Sequence, residues 1–162
     1  MYGRRMVRVA VGGTFDPLHE GHLALLKKAF QVAGRYGTVV VALTSDEMAK
    51  SQRTRKVRDF QTRERNLREI LLSRLGASRF EVEKLHDVFG SAIEEDYDII
   101  VVSPETLPMA YQINEIRREN KLDPIRIVSI ECQMAEDNER ISSTRICMGE
   151  IDGKGKLLIQ SG

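Results

Sequence analysis

The chain reads as an α/β fold, a parallel five-stranded sheet with helices on both faces. Three observations lead there. Short β-branched runs alternate with segments of helical apolar spacing. Repeated β-α-β order implies right-handed crossovers, which place helices on both sides of a parallel sheet. No repeat, low-complexity tract or Pro/Gly-rich linker breaks the series, so residues 1–162 are expected to form a single domain.

The elements follow in order. Val7 to Val11 is a short β-branched run ending at Gly12-Gly13. Gly21 to about Gly34 carries Leu23, Leu25, Leu26, Ala29, Phe30 and Ala33 at helical spacing, and Gly34 and Gly37 punctuate its end. Thr38 to Leu43 is a second strand of buried type. Lys50 to Arg58, with Arg53, Arg55 and Arg58, is polar and basic and reads as a loop. Thr62 to Leu75 is an amphipathic helix with Leu67, Ile70, Leu71 and Leu75 on one face and Thr62 as candidate N-cap. Phe80 to Leu85 alternates as a third strand, and Asp98 to Val102 is a fourth. A helix over Leu107 to Glu119, a strand over Ile125 to Ile130 and a short helix starting at Ser142 or Ser143 complete the series. The tail Leu157 to Gln160 reads equally as an edge strand or a packed segment.

Bulk properties narrow the function. Lys and Arg number 25 against 24 Asp and Glu, a net charge of +1. No global field draws such a chain to nucleic acid or to an anionic membrane. At 162 residues a domain buries roughly 70% of its unfolded surface, so a core forms without disulfides or metals. Cys132 and Cys147 lack CxxC spacing and read as reduced thiols. No apolar run reaches membrane-spanning length, so the expected location is the cytoplasm.

Ligands of open α/β sheets sit beyond the carboxyl ends of the strands, at a switch in strand order. The unusual residues fall there: Gly13 to His22 after strand one, Ser103 to Thr106 after strand four, and Ser142 to Arg145 beyond strand five. In Gly12-Gly13-Thr14-Phe15-Asp16-Pro17-Leu18-His19-Glu20-Gly21-His22, two glycines after a strand admit a phosphate to the backbone. Two histidines three residues apart at a helix start can face one ligand. The positive helix end attracts polyphosphate and favours neutral imidazoles in the empty site. A zinc site would need a third ligand of fixed spacing, and none is found, so no protein metal site is expected. In Ile141-Ser142-Ser143-Thr144-Arg145, hydroxyls followed by Arg at a helix start can cap the helix and grip phosphate.

Together these two segments resemble the HxGH-type nucleotidyltransferase superfamily, which implies a Rossmann-like domain. The nearest resemblance is to archaeal-type phosphopantetheine adenylyltransferases. It extends through Leu43-Thr44-Ser45-Asp46-Glu47, Val101-Val102-Ser103-Pro104-Glu105-Thr106 and Ile113-Asn114-Glu115-Ile116-Arg117. His19 stands where the bacterial form commonly has Thr. No GxxxxGK[ST] segment occurs, so the kinase activity fused to the eukaryotic relative is not expected.

The resemblance implies transfer of AMP from ATP to 4′-phosphopantetheine, giving dephospho-coenzyme A and pyrophosphate in coenzyme A biosynthesis. Mg²⁺ would be carried by the ATP phosphates. It implies that His22 contacts the α-phosphate, His19 the leaving phosphates, and Thr14 both reacting phosphates. Ser142, Ser143 and Thr144, with Arg145, would grip the triphosphate. Lys50, with Lys56 as rival, would neutralise the attacking phosphate, and Arg65 would stand near. Ser103, Pro104, Glu105 and Thr106 would line the adenosine pocket, with Asn114 and Arg117 supporting it. Gly13, Phe15 and Asp16 complete the nucleotide set, Phe15 mainly by packing and Asp16 either as a loop cap or as an acceptor. Two rival readings stand: the same chemistry on nicotinamide mononucleotide, flavin mononucleotide or glycerol phosphate, and a nucleotide-binding module without catalysis.

Overall fold

The computed structural model describes residues 6–52 and 55–158. Arg53 and the end of the tail, Ile159 and Gln160, lie outside the described residues. Five strands, β1 (Arg8–Gly13), β2 (Thr38–Thr44), β3 (Phe80–Leu85), β4 (Ile99–Val102) and β5 (Arg126–Ser129), form one sheet in the order β3-β2-β1-β4-β5. Every pairing is parallel. The chain steps outward from β1 to β2 and β3, then returns to β4 on the other side. The switch in strand order therefore lies between β1 and β4, at the carboxyl end of β1.

Central strands buried on both faces need apolar residues at every position, and the two faces sort by parity. Val9, Val11, Val39, Val41 and Leu43 pack with α1 (Glu20–Ala33) and α3 (Phe60–Leu75). Ala10, Val40, Ile100 and Val102 pack with α4 (Leu107–Glu119) and a 3₁₀ turn at Gly90–Ile93. Ala10 and Ala42 on the second face are small, which leaves space between the sheet and α4.

Three local details depart from the sequence-based expectation. Lys50 does not begin a loop. It sits in the last turn of α2 (Asp46–Gln52), whose start is capped by Ser45: the Met48 N–H donates to Ser45 Oγ at 3.2 Å. Asp46 and Glu47 in the first turn favour that end of the helix. One buried anchor, Ala49, is too little apolar pattern to be read as a helix. The cap of α3 is Asp59, not Thr62: Asp59 Oδ1 accepts the Thr62 N–H at 2.8 Å. The 3₁₀ turn was not foreseen. It is folded by Asp87, whose Oδ1 accepts the N–H groups of Phe89 and Gly90 at 2.9 and 2.8 Å. The final helix, α5 (Ser143–Cys147), starts where expected, with Ser142 as its N-cap.

The buried stripe of α4 runs Ala110, Ile113, Arg117. The Arg117 guanidinium donates to the carbonyls of Asp123, Ala92 and Glu95 at 2.7, 2.9 and 2.7 Å. It ties α4 to the 3₁₀ turn and to the approach to β5. Replacing Arg117 by Met should leave those carbonyls without their donor and lower stability by on the order of 3 kcal/mol. A urea midpoint equal to that of the wild type would refute this role.

Candidate active site

The loop from Thr14 to His19 leaves β1 and turns into α1. Phe15 adopts a left-handed backbone (φ 52°) and the Asp16–Pro17 peptide is cis. Phe15 is almost wholly buried and packs with the core under α1, so it underpins the loop rather than lining the site. The buried Asp16 carboxylate accepts the Arg58 N–H at 2.8 Å and pairs with the Arg58 guanidinium at 3.1 Å. Of the two roles open to it, the structure gives Asp16 that of loop holder.

His19 is the N-cap of α1, and its Nδ1 accepts the His22 N–H at 3.3 Å. The two imidazoles stack with centroids 3.7 Å apart and planes at 20°. Gly21 makes this possible, because a Cβ there would lie 2.7 Å from the His19 ring. Its lack of a side chain admits the neighbouring imidazole. Gly12 is likewise fixed by the protein: its Cβ would stand 3.1 Å from the Ala42 carbonyl oxygen on β2. Burial, reinforced by the nearby Arg140 cation, holds the His19 pKa down to about 4. With Nδ1 accepting, the neutral ring carries its proton on Nε2 and is a hydrogen-bond donor there.

A guanidinium that the sequence reading passed over lies beneath the loop. Arg63 on α3 is fully buried. It donates to the Thr44 hydroxyl at 3.1 Å, the Thr14 carbonyl at 3.4 Å and the Arg58 carbonyl at 2.7 Å, and pairs with Asp46 at 3.1 Å. The Thr44 hydroxyl in turn donates to Thr14 Oγ1 at 3.0 Å. Spacing held the clue: Arg63 is one turn before Leu67 and two before Leu71, on the buried stripe of α3.

A cavity of about 550 Å³ opens at the carboxyl ends of the strands. It gathers Gly13, Thr14, His19 and His22 with Ser103, Glu105 and Thr106 and with Ser142, Ser143 and Thr144. Segments more than a hundred residues apart thus share one rim. Its volume is that of an ordinary small-molecule site.

A family model described as cytidylyltransferase-like matches residues 10–148. A phosphopantetheine adenylyltransferase from Methanosarcina acetivorans is 46% identical over 96% of this chain and 99% of its own length. One from Archaeoglobus fulgidus is 41% identical over 94% of this chain and 100% of that protein. A crystal structure of a protein of unknown function from Archaeoglobus fulgidus superposes with a TM-score of 0.72 at 34% identity, covering 84% of this chain and 100% of that one. The chain belongs to the archaeal phosphopantetheine adenylyltransferase family.

Within that family frame, several expected contacts are placed elsewhere. Arg145 does not point its fork into the cavity. It pairs with Asp137 and, at 2.9 Å, with Glu150, and donates to the Arg140 carbonyl at 3.1 Å, so its hydrogen-bonding capacity braces α5. Asn114 is not in the lining: its amide donates to the Ile125 carbonyl and accepts the Ile125 N–H, both at 2.8 Å, which locks α4 to the start of β5. Pro104 is exposed and outside the lining. Lys50, Lys56 and Arg65 are exposed and also outside it. Among the described residues the Arg in the lining is Arg140, paired with Glu105 at 2.8 Å. Arg140 goes unmarked in the sequence, because neither periodicity nor spacing singles out a lone Arg in an irregular segment.

The two serines divide their work. Ser143 Oγ donates to the Pro17 carbonyl at 3.0 Å, which spends its proton on tying α5 to the loop. Ser142 Oγ accepts the Arg145 N–H at 3.2 Å and keeps its own proton to donate. Among the described residues no group of three or more His, Cys, Asp or Glu side chains is placed to hold a metal ion, and no helix is long and apolar enough to cross a membrane.

In the ligand-free protein the His19 ring should titrate near pH 4 by NMR. Because its folded pKa lies below the ordinary 6.5, its contribution to stability is complete above that value and is lost as pH falls toward 4. Bound polyphosphate should move the titration upward, and so should Arg140→Ala. A midpoint at the ordinary value in the empty protein would contradict the buried, stacked arrangement.

Proposed function

We propose that the chain transfers AMP from MgATP to 4′-phosphopantetheine, with release of pyrophosphate. The observation that carries the reading is the stacked His19–His22 pair at the start of α1, on the rim of a cavity that Ser142 and Thr144 also line. An oxygen of the acceptor phosphate attacks the α-phosphorus in line. The new P–O bond forms as the bond to the β-phosphate oxygen breaks, and that oxygen leaves with the electron pair on pyrophosphate. The attacking phosphate is already an anion, so the protein's work is alignment and charge stabilisation.

The residues divide that work as follows. His22 donates to the α-phosphate as charge builds there. His19 donates from Nε2 to the leaving phosphates, and its suppressed basicity keeps the ring neutral in the empty site. The buried Thr14, set by Thr44 and Arg63, aligns both reacting phosphates. Ser142 and Thr144 donate to the triphosphate. Arg140 takes the cationic role first given to Arg145, exchanging its exposed pairing with Glu105 for phosphate. Ser103 and Thr106 line the adenosine side. A contact from Lys50 to phosphate belongs to a liganded arrangement, since in the structure its side chain lies outside the cavity. Mg²⁺ would be carried by the ATP phosphates, where it would offset their charge.

Purified protein with MgATP should release pyrophosphate with phosphopantetheine, and not with nicotinamide mononucleotide, flavin mononucleotide or glycerol phosphate. His22→Ala should lower kcat by on the order of 10²–10³-fold, as loss of one transition-state donor does, with a much smaller change in ATP binding. Release only with another acceptor would overturn the substrate, and full turnover in the variant would remove His22 from the mechanism.

A further inference from the structure

The cavity extends well past the phosphate rim. On the α4 face of the sheet it crosses Ala10, Gly12, Val40 and Ala42 and reaches β3 and the 3₁₀ turn. Gly12, Ala42 and Glu83 are paired across β1, β2 and β3, so Glu83 stands two strand spacings, roughly 10 Å, from Gly12 near the end of β1. Most of this inner wall is apolar, and Glu83, Ser91 and Tyr97 are its polar exceptions.

Their hydrogen bonds have a direction. The Ser91 N–H donates to Glu83 Oε1 at 2.9 Å, and the Ser91 hydroxyl donates to Oε2 at 2.7 Å. A hydroxyl has one proton, and that of Ser91 goes to the carboxylate. The Ser91–Tyr97 contact of 2.7 Å is therefore donated by Tyr97. Burial raises the Tyr97 pKa above the ordinary phenol value, so the proton stays on the ring oxygen. The relay runs from Tyr97 to Ser91 to Glu83, and each proton in it is spent within the protein. Only lone pairs remain for the cavity. Arg140, in the lining, is engaged with Glu105, while Arg8, stacked 4.3 Å over the Tyr97 ring, pairs with Glu95 outside the lining. Arg117 fixes the Ala92 and Glu95 carbonyls and so holds the segment that carries Ser91 and leads to Tyr97.

We propose that Glu83, held by Ser91 and Tyr97, is a specificity-determining residue for the acceptor substrate: it takes a neutral hydrogen-bond donor on the acceptor's arm, an amide N–H, hydroxyl or thiol, and disfavours arms that bring an anion or only acceptors. The inference rests on the function proposed above. The phosphopantetheine arm is uncharged and carries such donors, whereas glycerol phosphate is too short to span from the β1–α1 loop to β3.

An isosteric exchange tests it. In Glu83→Gln the amide must donate to Ser91, which turns the relay around and presents the Tyr97 proton to the cavity. Pyrophosphate release would be followed with MgATP and phosphopantetheine for wild type, Glu83→Gln and Tyr97→Phe. The expected result is a KM for the acceptor raised on the order of 10- to 100-fold in Glu83→Gln, a smaller rise in Tyr97→Phe, and an unchanged KM for ATP. Acceptor analogues with an N-methylated amide, or with the thiol replaced by hydrogen, identify the donor. The analogue lacking it should cost the wild type about the same factor and cost Glu83→Gln no more.

Unchanged acceptor KM in both variants overturns the proposal, and so does a parallel rise in the KM for ATP, which would mark general distortion of the cavity. If Glu83→Gln does not fold, Tyr97→Phe decides. Absence of release by the wild type with phosphopantetheine is a separate result that sinks the functional reading, and this inference with it.

Discussion

The site depends on a buried cation that lies outside the cavity lining. Arg63 has no exposed surface, yet its guanidinium reaches the β1–α1 loop at Thr14, the end of β2 at Thr44, the start of α2 at Asp46 and the approach to α3 at Arg58. Burying such a charge is costly unless it is paired and its N–H groups are satisfied. Here each partner is a backbone carbonyl, a hydroxyl or a carboxylate from a different element. Those elements cannot separate without stranding the charge, so the β1–α1 loop is held in place before any ligand arrives. Preset donors that need no reorganisation are what a charge-stabilising site requires.

Arginines here divide by burial. Arg63 and Arg117 sit at helix positions where the pattern calls for an apolar residue, and both act as multi-point ties between elements. Arg145 is spent on two carboxylates and a carbonyl and holds α5. Arg140 lies at the cavity, bonded to an exposed Glu105, a pairing of small value in water. Arginine spacing in sequence does not separate these roles; the distances to carbonyls and carboxylates do.

The histidine pair shows the same coupling of scaffold and chemistry. Capping α1 through Nδ1 requires His19 to be neutral, and burial beside Arg140 keeps it so. The ring that closes the helix end is thereby fixed in the tautomer that offers a donor from Nε2. Gly21 is what lets the two rings meet. The spacing His-x-Gly-His thus encodes a packing requirement.

The strand series, the helices α1, α3, α4 and α5, the parallel sheet, and the rim on which distant segments meet were legible from local pattern and strand order. Apolar runs and helical spacing are local signals, and the position of ligands in parallel sheets follows from topology. The sequence also carried the His19–His22 and Ser142–Thr144 segments, since their composition is unusual for a strand end. Tertiary structure alone decided which polar side chains are free to meet a ligand. Asn114 is saturated by Ile125 and Arg145 by Asp137 and Glu150, while Glu83, Ser91 and Tyr97 converge from β3, the 3₁₀ turn and the approach to β4. Hydrogen-bond saturation depends on partners that are neighbours in space and often remote in sequence, and no local pattern reports it.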